Sequence, residues 1–124
     1  MAISFIKAAV LYFVVGVVFG IYIGTSKQFQ FAPVHAHINL LGWASQAIMG
    51  LLYYVFAKAG ASKLVPWHFW IYNLGTIGFV TGLYLIISGN EAALPVVIAS
   101  SNLVLVGVVL FLINIFVNVR VERA

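Results

Sequence analysis

The sequence predicts an all-α integral membrane protein with a four-helix transmembrane bundle. Hydrophobic residues make up 65% of the 124 residues, and charged residues make up 6%. A water-soluble globule of this size cannot bury so much apolar surface. Nearly the whole chain consists of apolar runs of about 20 residues, the length that crosses a bilayer. The connections between these runs are short, so neighbouring helices must be antiparallel.

We predict membrane spans at about 3–24, 34–57, 66–88 and 94–118, all within one domain that covers residues 1–124. The last three spans each have a proline at or beside the start, namely Pro33, Pro66 and Pro95. A proline is tolerated there because the N–H groups of the first helical turn have no partner anyway. The first run is longer than the core of a signal peptide, and we expect it to be retained.

The few charged residues indicate the topology. Four spans place both termini on one side of the membrane, together with the 58–65 loop. Lys27 is the one basic residue on the other side. The positive-inside rule therefore predicts cytoplasmic termini, and we expect the chain to lie in the inner membrane of a bacterium. The basic residues on the cytoplasmic side are Lys7, Lys58, Lys63, Arg120 and Arg123.

Composition also excludes several classes of protein. The basic residues occur singly at the ends of spans, which does not make the clustered basic face of a nucleic-acid binder. The chain has no cysteine, which excludes disulfides, iron–sulfur ligation and c-type heme attachment. It has no pair of carboxylates and no nucleophile beside a base, so no enzymatic site is evident.

Small and amide residues indicate close helix packing. Stripes of glycine let a neighbouring helix approach, and the stripe on the third span is also flat enough to receive the face of a porphyrin. Asparagines on the fourth span are expected to form hydrogen bonds between helices. The residues concerned are Gly16, Gly20 and Gly24 on the first span, Gly75, Gly78 and Gly82 on the third, and Asn102, Asn114 and Asn118 on the fourth.

Polar side chains are concentrated where the second span begins. Within a few residues this segment contains His35, His37 and Asn39. Polar groups at membrane depth are costly and mark a functional site by default. At about 100° per residue, the two histidines point about 200° apart on a helix. They therefore cannot bind one small ion together, but they can face two different neighbours.

The second span has two contrasting faces. One carries polar and small side chains, and the other is an apolar stripe headed by His37. An imidazole above an apolar stripe suits a heme, because its nitrogen ligates the iron while the stripe packs against the macrocycle. Asn39, Gln46 or a backbone carbonyl is suited to fix the tautomer of the ligand. The polar face comprises His35, Asn39, Gly42, Gln46 and Tyr53, and the apolar face comprises His37, Leu41, Ala44, Ile48, Leu51 and Val55.

The histidines also admit other interpretations. A single histidine at headgroup level is ordinary. A zinc or copper site with three or four ligands would need several subunits, because one chain offers at most two imidazoles there, with no cysteine or carboxylate nearby. His68 lies at the inner end of the third span, a membrane thickness from His37. It is either a third candidate ligand or part of an interfacial aromatic belt with Trp67, Trp70 and Tyr72.

The segment His35-Ala36-His37-Ile38-Asn39-Leu40-Leu41-Gly42-Trp43 resembles the His-x-His segment in the catalytic subunit (subunit I) of the heme-copper oxidases. It is most similar to the C-type branch and the nitric oxide reductases. In that family the second histidine is an axial ligand of the low-spin heme, and the first ligates the high-spin heme. The resemblance implies a short, stand-alone subunit I-like protein that binds heme b, with His37 as the first candidate ligand and His35 as the second.

The same resemblance has implications for assembly. The family's subunit has twelve helices in three arcs of four, and this chain resembles one arc. It lacks the histidine set of a copper site, so we do not expect a complete oxidase. Three copies would reproduce the twelve-helix plan. We therefore expect a homotrimer with heme at the subunit interfaces, or a dimer as the second choice.

The expected function is electron transfer or the binding of a diatomic gas (O2 or NO), with a redox partner that the sequence does not identify. The alternative is a non-redox membrane channel, or an accessory subunit of a larger complex, in which the histidines line a polar path.

Overall fold

The computed structural model describes residues 1–121. Within this range 89% of the residues are helical and there are no strands, so the predicted all-α class is confirmed. Arg123, which entered the prediction of topology, lies outside the described residues, as does Glu122.

Four helices are long and apolar enough to cross a membrane: α1 (Ala2–Ser26), α2 (Phe29–Val55), α3 (Leu64–Ile87) and α4 (Glu91–Asn118). A single helical turn, Ala57–Gly60, lies between α2 and α3. Most of the large apolar side chains on the outside of the bundle are exposed, as lipid contact requires. The chain is therefore an integral membrane protein.

Local sequence explains several of the helix ends. Helix α1 ends at Ser26, and the next residue, Lys27, adopts a left-handed conformation with φ of 56°. Pro33 and Pro95 lie in the first turns of the α-helical parts of α2 and α4, where they remove no helical hydrogen bond. The turn after α3 contains Gly89 with φ of 99°, a conformation that favours glycine.

Helix α2 changes its winding at the polar segment. Regular α-helix over Ala32–His37 and Gln46–Val55 flanks a π-helical stretch, Ile38–Ser45. The wider π turn needs other donors for its carbonyl groups. The Tyr72 hydroxyl of α3 donates to the Leu41 carbonyl at 2.7 Å, and the Gln46 amide donates to the Gly42 carbonyl at 3.1 Å. Such π stretches occur frequently at functional sites.

Glycines set the distance between helices in two places. On α1, a Cβ at Gly20 would lie 2.7 Å from His35 Cε1 of α2. On α3, a Cβ at Gly75 would lie 2.7 Å from the backbone nitrogen of Val104, and one at Gly82 would lie 2.8 Å from Val97. Helix α4 thus covers the stripe on α3. The packing interpretation is confirmed there, and the suggestion that this stripe receives a porphyrin was wrong.

Two buried clusters lie at opposite ends of the bundle. One surrounds Phe5, Tyr53 and Tyr72, and the other contains Phe31 and Ile38. Asn114 of α4 is fully buried and donates to the Ala59 carbonyl at 3.0 Å. It thereby ties α4 to the connection between α2 and α3. Asn102, in contrast, is exposed and bonds within its own helix.

Candidate functional site

His35 lies between α2 and α1. Its Nδ1 atom is 2.8 Å from the Gly16 carbonyl oxygen. Because a carbonyl only accepts, Nδ1 carries the proton and Nε2 keeps its lone pair. The ring rests on Gly20, where any larger residue would meet it. The bond to α1 therefore fixes both the tautomer and the position of His35.

Asn39 lies one turn further along α2 and accompanies His35. Its side-chain amide nitrogen lies 3.4 Å from His35 Nε2, the ring nitrogen that can accept a hydrogen bond, and donates to the His35 carbonyl at 3.1 Å. A Cβ at Gly16 would collide with the Asn39 amide. His35 and Asn39 are thus brought together, and both fill the space that the glycines of α1 leave open.

His37 faces away from α1. Its Nδ1 atom donates to the Pro33 carbonyl, 2.7 Å away and one turn earlier in the same helix. This bond again leaves Nε2 unprotonated, on the opposite side of the ring. The ring meets Phe79 of α3 edge-on, with centroids 5.0 Å apart. His37 is half-buried, and among residues 1–121 it has no hydrogen bond to another helix.

A shallow groove of about 260 Å³ adjoins His37 on the outside of the bundle. Its other lining residues come from three helices and are mostly apolar: Leu40, Leu41, Phe79, Ser101 and Val104. Residues of α2, α3 and α4 thus meet at this groove, and Phe79 is the lining residue that α3 provides. It is the place in the bundle where an imidazole meets an apolar surface that remains open.

The predicted apolar stripe below His37 is exposed along much of its length. Ile48, Leu51 and Val55 are 57%, 53% and 69% exposed. Leu41 and Ile48 also border Tyr72 of α3 and Phe111 of α4, and the remaining surface of the stripe faces outward. Lipid, a cofactor or another subunit is therefore what can cover it.

Gln46 does not join the histidines. It is fully buried and accepts a hydrogen bond of 2.7 Å from Asn73 of α3. The prediction placed Gln46 on the same line as His35, whereas His35 faces α1. A π turn holds more residues than an α turn, so side chains beyond it are rotated relative to a regular helix. The suggested role of Gln46 in fixing a histidine tautomer has no support in this geometry.

His68 lies inside the bundle, with no exposed surface. Its Nδ1 atom is 2.8 Å from the Tyr53 hydroxyl, and Nε2 has no partner among the described residues. The rings of Phe5, Tyr72 and Phe111 surround it. The assignment of His68 to an interfacial aromatic belt was therefore wrong. The side chains of Trp67 and Trp70 beside it, 67% and 60% exposed, do lie on the outside.

Sequence reasoning missed several of these partners. Asn73 and Phe79 were not singled out, and Tyr53 was placed on the polar face without a partner. An amide within the apolar third span was a usable signal for Asn73. Nothing in the sequence marked Phe79 or the π-helical stretch.

Within residues 1–121, no three side chains of histidine, cysteine, aspartate or glutamate come together as a metal-binding group. His35, His37 and His68 each stand apart from the other two. A single chain therefore offers one imidazole at a time.

Comparisons with known proteins give two relatives. Over 57 residues the chain is 30% identical to cytochrome c oxidase subunit 1 of Rhodobacter capsulatus, which covers 41% of this chain and 11% of that protein. Over 120 residues it is 30% identical to the bacteroid cytochrome c oxidase subunit 1 homolog of Bradyrhizobium diazoefficiens, which covers 73% of this chain and 22% of that protein.

The chain thus spans less than a quarter of the length of either relative. No protein-family profile and no solved structure matches it. The similarity suggests a distant link between this four-helix membrane protein and cytochrome c oxidase subunit 1.

Proposed function

We propose that this protein binds heme b between subunits, with His37 as an axial ligand, and that it transfers electrons or binds a diatomic gas. The main observation behind the proposal is the tautomer of the His37 imidazole. Its Nδ1–H is held by the Pro33 carbonyl, 2.7 Å away, so Nε2 offers a lone pair. Histidines that bind metals usually donate their other N–H to a carbonyl or carboxylate, which fixes the ring and makes it more basic.

The side chains around His37 are chemically suited to contact a porphyrin. The groove is lined by Leu40, Leu41, Phe79 and Val104, with Ser101 as its other polar residue. Apolar walls exclude water and contact the macrocycle, while Phe79 holds the imidazole at an angle of 62° between the ring planes. When bound, heme iron supplies one-electron transfer or gas binding according to its axial ligands.

The size of the groove supports the proposal of a second subunit. Pockets that enclose an organic ligand typically measure about 300–1,000 Å³, whereas this groove measures about 260 Å³ and is open. One chain therefore covers only part of a heme. The exposed stripe of Ile48, Leu51 and Val55 supplies apolar surface on the same helix for an interface.

We further propose that the assembly is a homotrimer. A closed ring brings a different surface of the next chain over each copy of the groove, and three copies match the twelve-helix plan implied by the resemblance. A dimer is the second choice. It would place two symmetry-related histidines around one heme.

The three histidines differ in their suitability as ligands. His35 is the second candidate, because its Nδ1–H is also held by a carbonyl and its ring is only half-buried. His68 is fully enclosed by aromatic side chains, which leave no space for a macrocycle. We therefore assign His68 to the core and Asn39 to the support of His35.

The relatives agree with this proposal at a general level. Both are named as subunit 1 of cytochrome c oxidase or its homolog. These names support heme-dependent electron transfer as the function of this chain. Oxygen reduction is not proposed, because the described residues hold no group of three or more metal-binding side chains.

The test is spectroscopic. Protein purified in mild detergent from heme-replete cells should be red, with a Soret band and a pyridine hemochrome spectrum of heme b. His37→Ala should remove or strongly perturb that band, and Trp43→Phe, in the π stretch that follows His37, serves as the matched control. Full heme retention by the His37 variant would refute the ligand assignment. A colourless wild-type protein would favour the channel or accessory-subunit alternative.

Native mass spectrometry tests the assembly. We expect a trimer that carries heme. A heme-loaded monomer would contradict ligation at an interface, and a stable heme-loaded dimer would contradict the threefold plan while leaving the heme proposal intact.

A further inference from the structure

A cavity of about 420 Å³ lies at the end of the bundle opposite the His35–His37 segment. Along α2 it is about 27 Å from His37, at 1.5 Å per residue. Two basic residues, an amide and a short apolar run line it. They are Lys58, Arg120, Asn118, Val55, Phe56 and Ala57.

A chain of amide hydrogen bonds supports the wall of this cavity. Asn118 donates to the Asn114 side-chain oxygen at 2.7 Å, and Asn114 donates to the Ala59 carbonyl at 3.0 Å. Asn114 is fully buried. These bonds hold the turn Ala57–Gly60 against the end of α4. As a result Lys58 and Arg120, which are remote in sequence, line the same cavity.

The cavity carries an excess of positive charge. The one acidic residue within residues 1–121 is Glu91, at the opposite end of the bundle. Among the lining residues themselves, Lys58 and Arg120 carry the charge, and Glu122 and Arg123 lie outside the described residues. The carboxyl ends of α2 and α4 each contribute about half a negative charge, which two cationic side chains exceed. The cavity therefore favours an anion.

The apolar wall shows which anion suits the cavity. Val55 is 69% exposed and Phe56 is 38% exposed. Val55 continues the exposed stripe of α2 that runs through Leu51 into the membrane-spanning surface. A ligand held here thus meets cations on one side and a lipid-facing surface on the other.

We propose that this cavity binds the phosphate headgroup of an anionic phospholipid. Arg120 and Lys58 hold the phosphate oxygens, Asn118 offers an amide, and an acyl chain lies along Val55 and Phe56. Basic pockets between transmembrane helices bind such headgroups, and the planar guanidinium group of arginine matches phosphate geometry. Free phosphate is also an anion, but it has no apolar part to contact Val55 and Phe56. The proposal does not depend on heme.

The test uses the full-length protein in mild detergent. Phosphatidylglycerol is titrated and its binding measured by native mass spectrometry, with phosphatidylcholine and inorganic phosphate as the comparison ligands. Removing one cation should weaken phosphatidylglycerol binding about fivefold, and the double variant Lys58→Gln/Arg120→Gln should weaken it about 25-fold. The matched control, Lys7→Gln/Lys63→Gln, removes equal charge from the same end without touching the cavity.

Three results would overturn the proposal. Equal losses in the test and control variants would show that general surface charge attracts the lipid. Phosphatidylcholine binding as tightly as phosphatidylglycerol would show that the charge is irrelevant. If the binding of inorganic phosphate requires Lys58 and Arg120 but the binding of lipid does not, the cavity is a site for a free anion. Both side chains are exposed, so folding should persist. The swap Lys58→Arg/Arg120→Lys must retain binding.

Discussion

The Nδ1 atom of His35 donates to the carbonyl oxygen of Gly16 across the interface of α1 and α2. This single bond, 2.8 Å long, does two things. It joins the first two membrane helices, and it leaves Nε2 of His35 without a proton. The glycines of α1 make it possible, because a side chain at either position 16 or position 20 would occupy the space of Asn39 or His35.

The first prediction concerns this interface. A Cβ at position 20 would lie 2.7 Å from His35 Cε1, whereas one at position 24 would meet nothing within 4 Å. Gly20→Ala and Gly24→Ala gain the same helix propensity, so the difference between them isolates the collision. We expect Gly20→Ala to be less stable than Gly24→Ala by about 1–3 kcal/mol. Denaturant unfolding in detergent measures this, and equal stabilities would contradict the packing of His35 on α1.

The second prediction concerns the buried Tyr53–His68 pair. Removing the Tyr53 hydroxyl leaves both ring nitrogens of His68 unpartnered in a site that has no exposure. Tyr53→Phe should therefore lower the free energy of unfolding by about 1–3 kcal/mol. Its neighbour Tyr54 is 65% exposed, so Tyr54→Phe should have little effect. A Tyr53→Phe protein as stable as the control would show that the hydrogen bond adds nothing to stability.

The third prediction concerns the amide pair between α2 and α3. Asn73 donates to Gln46 at 2.7 Å in a buried position. A double-mutant cycle with Gln46→Leu and Asn73→Leu should give a coupling of about 0.6 kcal/mol, and at most about 1.7 kcal/mol, as for other hydrogen bonds between membrane helices. The cycle that pairs Gln46→Leu with Asn102→Leu is the control. Asn102 bonds within its own helix, so its coupling should be near zero.

The fourth prediction concerns topology. We propose that both termini and the connection after α2 are cytoplasmic, because the basic residues collect at that end. The chain has no cysteine, so single cysteines can be introduced at Ser26 and Ser62. In intact cells, an impermeant maleimide should label Ser26→Cys from outside and leave Ser62→Cys unlabelled. Labelling of Ser62→Cys from outside would invert the topology and place His35 and His37 at the inner leaflet.

Features that depend on one helix at a time were predictable from the sequence. The length of the apolar runs fixed four spans, because a bilayer demands about 20 apolar residues. The helical repeat fixed the divergence of His35 and His37, which face α1 and Phe79 respectively. The prolines at the first turns follow the same local logic.

Features that depend on a partner helix were not predictable. The π stretch Ile38–Ser45 rotates the later part of α2, and its Leu41 carbonyl accepts a hydrogen bond from Tyr72 of α3. No local signal specifies such a turn, because the donor to its Leu41 carbonyl lies 31 residues away in the chain. The hydrogen bonds of Gln46 with Asn73 and of His68 with Tyr53 likewise depend on a neighbouring helix.

The sequence by itself determined a four-helix membrane protein with two histidines that face different neighbours. The tertiary structure decided which histidine borders an open groove. Gly16 holds His35 against α1, Tyr53 encloses His68 in the core, and His37 alone borders an open apolar groove. The reason is physical: a polar group in a membrane must find a partner, and only the packed bundle shows which partners lie within reach.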